Sequence, residues 1–584
     1  MIIGIDLGTT NSLAAVFRNG RSELIPNAFG EYLTPSVVNV DEKGQNVTVG
    51  KIAKERLVTE PKLTAQLFKR RMGTQTKYPM GKKHFTPEEL SAMVIKQLVS
   101  DAEVYLGEKV DEVVISVPAY FDALQRKATK MAGQMLGLKV DRLINEPSAA
   151  VIAYHRENTY ETFVVFDFGG GTLDVSVVDC FENVISINSI AGNNHLGGSD
   201  FDRALADYFC RQNNLQFTAF SDGEQRSILL LAERVKIALG SKEEVIMSMN
   251  LKGEERACIV TPGILRHISQ VILDEIRDVI GKAVKDSGFT ADELSGLILV
   301  GGSSHMPLVR DYLTELLNIP VIRTADTDLL VAKGLGTYIG MKERREEVKD
   351  LVITDICPFS LGTGVINREE KKWKDWFKVI IPRNTVLPAS EVTYLQTAVL
   401  GQKEVNIQVY QGEEMYAEDN LKLGSVTIPV PINKNEHEAF QVTYSYDINS
   451  MLYIEIEIVS TGKKHLFQVG SGEKLEAVHD IAHMSAVKDV SLQLNQNPEL
   501  DACMERARRI YTELSEYEKE SFMREAADYS KEFRLSLNNL KKKREVLEEF
   551  RAYLDKYEKY SGYDLLDIFA RPEKDEDENG GYLS

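Results

Sequence analysis

The sequence predicts a multidomain chain: an α/β part, then a β part, then a short helical part. Three observations carry this. Strand-like and helix-like segments alternate through residues 1–345, the pattern of a mainly parallel sheet covered by helices. Beyond them, "KEVNIQVYQGE", "KLGSVTIPV" and "MLYIEIEIV" alternate apolar and polar residues with period two, and turn residues separate them. From about Glu473 apolar residues fall at helical spacing; in "ACMERARRIYTELSEY" they are Cys503, Met504, Ala507, Ile510, Tyr511, Leu514 and Tyr517.

The chain opens "MIIGIDLGTTNSLAAVF". Ile2 to Ile5 reads as a strand that Asp6 ends. Gly8, Thr9, Thr10 and Asn11 make a turn, and Leu13 to Phe17 returns. The same build recurs in "VVFDFGGGTLDVSVVD", where Asp167 and Asp174 flank Gly169, Gly170 and Gly171. Three glycines permit positive φ and remove every Cβ, so the turn backbone can approach a ligand. Successive N–H groups there form an anion-binding concavity. The two acids beside it suit magnesium, which favours carboxylate and water oxygens. Alone, this stretch also reads as a glycine-rich hairpin with two solvated acids. The second copy weighs against that and suggests two similar lobes facing one polyphosphate. A third glycine turn, "LILVGGSSHMPLV", again follows an apolar strand. No GxxxxGK[ST] loop is present, and "KGLGTYIG" has the wrong spacing for a dinucleotide fingerprint.

Next, "MKERREEVKD" forms a charged patch before the short apolar run "LVIT". The expected divisions are residues 1–345, a linker at 346–355, a β domain at 356–472, helices at 473–570 and an acidic, disordered tail at 571–584.

The net charge of −19 argues against a nucleic-acid binder, which would carry a basic footprint. The five cysteines are scattered and lack CxxC spacing, so neither a zinc site nor a disulfide framework is expected. No apolar run reaches membrane-spanning length, and no basic region precedes the first apolar stretch. These features predict a cytoplasmic protein without a membrane partner.

Five segments, "IGIDLGTTNS", "VVISVPAYFDALQRKATKMAG", "FDFGGGTLDVSV", "LVGGSSHMP" and "VAKGLGTYIG", occur in one order. With "LINEPSAAVIAY", "HLGGSDFD", "GEEMYAEDNLKLG" and "YDINSMLYIEI", they make the chain resemble the 70-kDa heat-shock chaperone family of DnaK type over residues 1 to about 470. The resemblance implies a two-lobed actin-like ATPase domain, a β-sandwich peptide-binding domain and a short α-helical lid. It implies an ATP-driven chaperone that binds extended apolar segments of unfolded polypeptides. Sugar or carboxylate kinases and actin-like filament proteins share the ATPase fold, but neither explains the residues after the linker.

The resemblance also implies roles for residues. Asp6 and Asp167 would hold Mg²⁺ through its waters, and Asp174 with Asp6 would help bind K⁺. Gly8, Thr9, Thr10, Asn11 and the amides of Gly169, Gly170, Gly171 and Thr172 would wrap the phosphates of ATP or ADP. Gly197 and Gly198 would close over them from the other lobe. Thr172 matches the threonine near the γ-phosphate. Lys69 in "LFKRRMG" matches the catalytic lysine, and Glu146 in "NEPSAA" the carboxylate near the attacking water. On residue type alone both would be surface charges. Glu233, Lys236, Gly301, Gly302, Ser303 and Asp328 match adenosine contacts. Gly240 stands where the family has a serine, and His305 where it usually has an arginine that stacks on adenine. These changes predict weaker nucleotide binding and less need for an exchange factor.

Pro118 and Arg126 match the family's proline switch and arginine relay, and Arg142 and Asn145 match positions that meet a J-domain co-chaperone. Leu351, Val352 and Asp355 lie in the linker, which in the family docks on the ATPase domain in the ATP state. Val405, Ile407 and Leu395 match the peptide pocket, and Ile366 and Ala398 the arch over the peptide backbone. "NREEKKWKDWF", with both tryptophans, makes one loop longer than usual. Between Gly73 and Thr86 the chain is shorter than a standard member, and the lid is short. Both features are similar to the divergent HscC-like branch, with a specialised client set. The family is mostly monomeric.

Overall fold

Two six-stranded sheets of the same build dominate the first part of the chain. The computed structural model describes residues 1–154, 160–251, 254–322, 327–366, 375–469, 475–477, 491–493, 497–514, 516–536 and 539–558. In the first sheet the order is Lys139–Asn145, Glu112–Val117, Ile2–Asp6, Asn11–Arg18, Arg21–Ile25, with Thr34–Pro35 paired off this path. In the second it is Val321–Ile322, Gly296–Val300, Tyr160–Phe168, Leu173–Phe181, Val184–Asn193, Val352–Thr354. In each, the strand that carries the phosphate-turn acid at or next to its end has a parallel neighbour on one side and its antiparallel hairpin partner on the other. The repeated Asp–Gly turn is thus one expression of a repeated sheet.

Apolar runs explain the burial. Ile3, Ile5, Val164 and Phe166 are fully enclosed, and each such side chain contributes on the order of 1.5–3 kcal/mol. Caps place the site helices. Ser221 and Glu224 form a capping box that starts Asp222–Ala238, and Asp122 with Gln125 starts Ala123–Gln134. "KGLGTYIG" lies in the helix Leu330–Lys342. A Cβ at Gly334 would fall 1.7 Å from the Ala149 carbonyl oxygen, so this glycine lets two helices touch.

The β part forms two antiparallel sheets. One runs Asp375–Ile381, Leu361–Ile366, Glu404–Gln411, Leu421–Pro429; the other runs Ala389–Gln396, Ala439–Tyr446, Leu452–Ile458, Lys463–Val469, Leu475–Ala477. They share a core containing Val409, Leu423, Val442, Tyr444 and Ile456. The Tyr444 hydroxyl donates to the Gly362 carbonyl at 3.1 Å and ties one sheet to the other. Trp376 stands in a strand rather than in the expected long loop. Trp373 and the tail at 571–584 lie outside the described residues.

This part packs on the first lobe. Ala123 enters its core, the Ala123 amide donates to Gln411 Oε1 at 3.1 Å, and Lys127 Nζ donates to the Val469 carbonyl at 2.8 Å. Asn449 accepts from the Leu143 amide and donates to the Asp141 carbonyl. The helices Pro498–Glu513, Glu516–Leu535 and Leu540–Tyr557 share a core around Phe522, Phe550 and Leu554. The first of them lies against Lys51–Thr59 of the first lobe.

Candidate active site

A cleft of about 720 Å³ opens between the two sheets. Of the residues predicted to touch nucleotide, it is lined by Gly8, Thr9, Thr10, Asn11, Lys69, Glu146, Asp167, Gly169, Gly170, Thr172, Glu233, Lys236, Gly301, Gly302, Ser303, His305 and Asp328, together with Asp6. The register Asp167↔Asp174 and Phe168↔Leu173 closes the glycine hairpin. The triplet's three glycines do not adopt positive φ, contrary to one of the two expected reasons for them. The reason the structure supports is space: a Cβ on Gly170 would fall 1.8 Å from Thr10 Oγ1, and one on Gly171 would fall 2.3 Å from Thr9 Cγ2. The two hairpins therefore meet tip to tip.

Gly171, Gly197 and Gly198 do not line the cleft. Gly197 and Gly198 do not close from the other lobe, contrary to expectation. The Gly198 amide donates to the Gly169 carbonyl at 3.0 Å, which places the start of this helix on the same side as the triplet. One link between the lobes at the phosphate turn is Arg70, which sequence reasoning missed. Its Nε donates to the Gly171 carbonyl at 2.8 Å, and its guanidinium pairs with Asp200 at 2.6 Å. The two arginines after Lys69 were the only signal.

Lys69 and Glu146 are buried, not surface charges. Nζ lies 2.8 Å from Oε1, and the ammonium sits over the Phe121 ring. Around them stand three buried acids. Burial, with Glu146 adding to it, pushes Asp6 up to about 7, and Ser116 donates to its carboxylate at 2.7 Å. Burial and then Glu146 also raise Asp174 to about 7 and hold Asp167 well above the usual carboxylate range. Asp174 Oδ1 accepts from the Tyr120 amide, while Oδ2 finds no hydrogen-bond partner among the described residues. One lysine does not balance so many carboxylates, and this deficit of positive charge fits a cation. Magnesium keeps several of its waters and takes one or two carboxylates, which these acids at the cleft can supply.

At the other end, Glu233 pairs with Lys54 at 3.2 Å and Lys236 with Asp202 at 2.7 Å. Burial alone would raise Glu233; Lys54 and Lys236 outweigh it and hold the carboxyl below its ordinary value. His305 Nε2 lies 2.5 Å from Thr327 Oγ1 and 3.5 Å from Asp328 Oδ2. The hydrogen bond to Asp328 raises the imidazole above its ordinary value.

A family model described as "Hsp70 protein" matches residues 2–82 and 75–563. The chain belongs to the Hsp70 family. Similar proteins include the proteins named "Chaperone protein DnaK" of Thermotoga petrophila and Thermotoga maritima, each 35% identical over 493 residues that cover 81% of both chains. Hsp70 members are ATP-dependent chaperones and ATPases, and neither the kinase nor the filament alternative is favoured by these matches.

The remaining predicted positions of this Hsp70 chain fall into three places. Arg126 is buried and donates to the Phe121 and Ala119 carbonyls and to Asn145 Oδ1 at 2.8 Å. Pro118 begins the same turn, its carbonyl accepting from the Phe121 amide. Asn145 is only 3% exposed, so in this arrangement it cannot itself meet a co-chaperone; Arg126 occupies it. Arg142 lies over the Tyr338 ring. The linker strand Val352–Thr354 pairs in parallel with Val184–Asn193. Its two faces differ: Val352 is 50% exposed, whereas Ile353 is half-buried and packs against the core between the sheets. Leu351 precedes this strand, and Asp355 Oδ1 accepts from Ser148 Oγ at 2.8 Å. In the β part Val405 and Ile407 are buried in the shared core, Leu395 packs against it, and Ala398 donates its amide to Gln402. Ile366 is 57% exposed at a strand end. Val405 and Ile407 are thus covered here rather than lining an open pocket.

Proposed function

We propose that this Hsp70 chain binds ATP with Mg²⁺ in the cleft and uses its hydrolysis to control the grip of the β part on extended apolar peptides. The observation that carries this reading is a continuous sheet. The linker strand Val352–Thr354 is the edge of the same sheet whose central hairpin carries Asp167 and the glycine triplet. A change at the phosphates and a change at the linker therefore act on one rigid element.

In this reading the backbone of Gly8 to Asn11 and of Gly169, Gly170 and Thr172 holds the phosphates, with Thr172 nearest the terminal one. Asp6 and Asp167 hold the hydrated Mg²⁺, and Asp174 with Asp6 sits beside K⁺. Bound Mg²⁺ offsets phosphate charge. Glu146 holds the Lys69 ammonium in place. The ammonium orients the attacking water and offsets charge on the transferring phosphoryl group. Glu233, Lys236, Ser303, His305 and Asp328 frame the adenosine. The β sheets form the β-sandwich peptide domain, and the C-terminal helices form its lid. Main-chain hydrogen bonds to an extended peptide are sequence-independent, which suits unfolded clients. A J-domain partner meets the surface around Arg142, the protein works as a monomer, and unpaired cysteines fit a reducing cytoplasm. Among the described residues no helix is long and apolar enough to cross a membrane.

The test is ATP turnover with added ligands. Stimulation by an apolar peptide together with a J-domain protein supports the chaperone; ADP production that depends on a sugar would favour the kinase.

A further inference from the structure

We propose that the C-terminal helices clasp the two lobes together across the mouth of the nucleotide cleft and so slow nucleotide release. This rests on the cleft being the nucleotide site. At that mouth, helix Lys51–Thr59 of the first lobe faces helix Asp222–Ala238 of the second, and Lys54 meets Glu233 between them. Helix Pro498–Glu513 reaches both.

On the first-lobe side, Arg509 Nε lies 2.6 Å from Glu55 Oε2, and Glu505 pairs with Arg56 at 3.0 Å. On the second-lobe side, Arg234 lies 3.5 Å from Glu513 and 3.7 Å from Glu558. Glu558 also pairs with Arg509. Glu55, Arg509, Glu558 and Arg234 therefore form one charged chain from lobe to lobe through the C-terminal helices. Arg509, Glu55 and Glu558 are buried, and burial changes the energetics. Exposed pairs contribute little, but a buried charge that loses its partner is costly. Burial alone would raise Glu55; Arg509 outweighs it and holds the carboxyl below its ordinary value.

The anchors are unequal. The chain leading to these helices adds Ser491–Leu492 as a strand beside Asn46–Val49, so it is fixed to the first lobe by backbone pairing. The second lobe is held through Arg234. Arg234 follows Glu233 directly, so one helix turn presents one residue to the cleft wall and the next to the clasp. Parting of the lobes, which releases a ligand held between them, must break the Arg234 contacts.

The experiment uses the full chain and a fluorescent, non-hydrolysable ATP analogue, with Arg234→Gln and Glu513→Lys compared by release rate. Glu513 is outside the cleft, and the lysine would face Arg234 and Arg509. Each variant is expected to speed release roughly five- to tenfold, and the double variant little more than either alone. Glu513→Gln, expected to act in the same direction more weakly, replaces Glu513→Lys if that protein fails to fold. Unchanged rates in both overturn the clasp and leave the nucleotide site standing. An effect of Arg234→Gln that neither the Glu513 variant nor Glu558→Gln reproduces would be local to the cleft helix and overturns it; an effect of the Glu513 variant alone removes the second-lobe anchor and overturns it too. Failure of the wild-type chain to bind the analogue overturns both readings.

Discussion

Lys69 Nζ stands 2.8 Å from Glu146 Oε1, and both side chains are nearly inaccessible to water at the base of the cleft. An ammonium held there is placed for charge that develops during phosphoryl transfer. Lys69→Ala is expected to lower single-turnover hydrolysis by about 10²–10³-fold, the range for losing one preorganised stabilising group. ATP affinity should change far less, because the interaction is stronger in the transition state. Rapid-quench turnover with a parallel ATP titration checks both.

Gly197→Ala should loosen the cleft without touching a charged group. Its Cβ would lie 2.4 Å from the Gly171 amide nitrogen and 2.5 Å from the Gly170 carbonyl carbon. Backbone atoms cannot yield as a flexible side chain can, so the glycine hairpin must shift. Weaker ATP binding with little change in melting temperature is expected, measured by titration and thermal unfolding.

Ile353→Asp should uncouple the two halves of the molecule. Half-buried Ile353 packs against the core between the lobes, and a carboxylate turned toward that apolar surface opposes docking of the linker strand. Basal ATP binding should persist while ATP loses its effect on peptide release. Val352→Asp, at an exposed position, should have much less effect. Stopped-flow peptide release for the two variants distinguishes them.

His305 gives a pH prediction. Its folded pKa is raised above 6.5 by the hydrogen bond to Asp328. The charged form is therefore fully present below 6.5 and is lost as pH rises through the folded value. A cation over an aromatic base contributes on the order of 0.5–1 kcal/mol, a few-fold in affinity. ADP release should thus be slower at pH 6 than at pH 8.5, and His305→Gln should flatten that difference. His305→Arg should slow release a few-fold at pH 8.5 and much less at pH 6, where the histidine is already charged, without altering hydrolysis. A fluorescent ADP analogue followed across pH provides the measurement.

Local patterns were legible and distant pairings were not. The strand–Asp–glycine repeat is contiguous in sequence, so Asp6, Asp167 and both hairpins could be placed in advance. The period-two strands and the helical C-terminal stripe were legible for the same reason. Lys69 pairs with a residue 77 positions away, so nothing near it in the chain signals its burial. Asn145 looked available to a partner because Arg126, which occupies it, comes from a different element. Which face of the linker strand would be covered depended on the neighbouring strand Val184–Asn193, and a short apolar run does not reveal it. The glycine triplet was placed correctly, but its close approach to Thr9 and Thr10 required both lobes in view.

The most direct measurement is release of a bound fluorescent apolar peptide after rapid mixing with ATP or with ADP. Because one sheet joins the phosphate hairpin to the linker, ATP should accelerate release strongly, ADP should not, and Ile353→Asp should abolish the difference. Peptide release that is the same in ATP and ADP, in a protein that still hydrolyses ATP, would contradict the account.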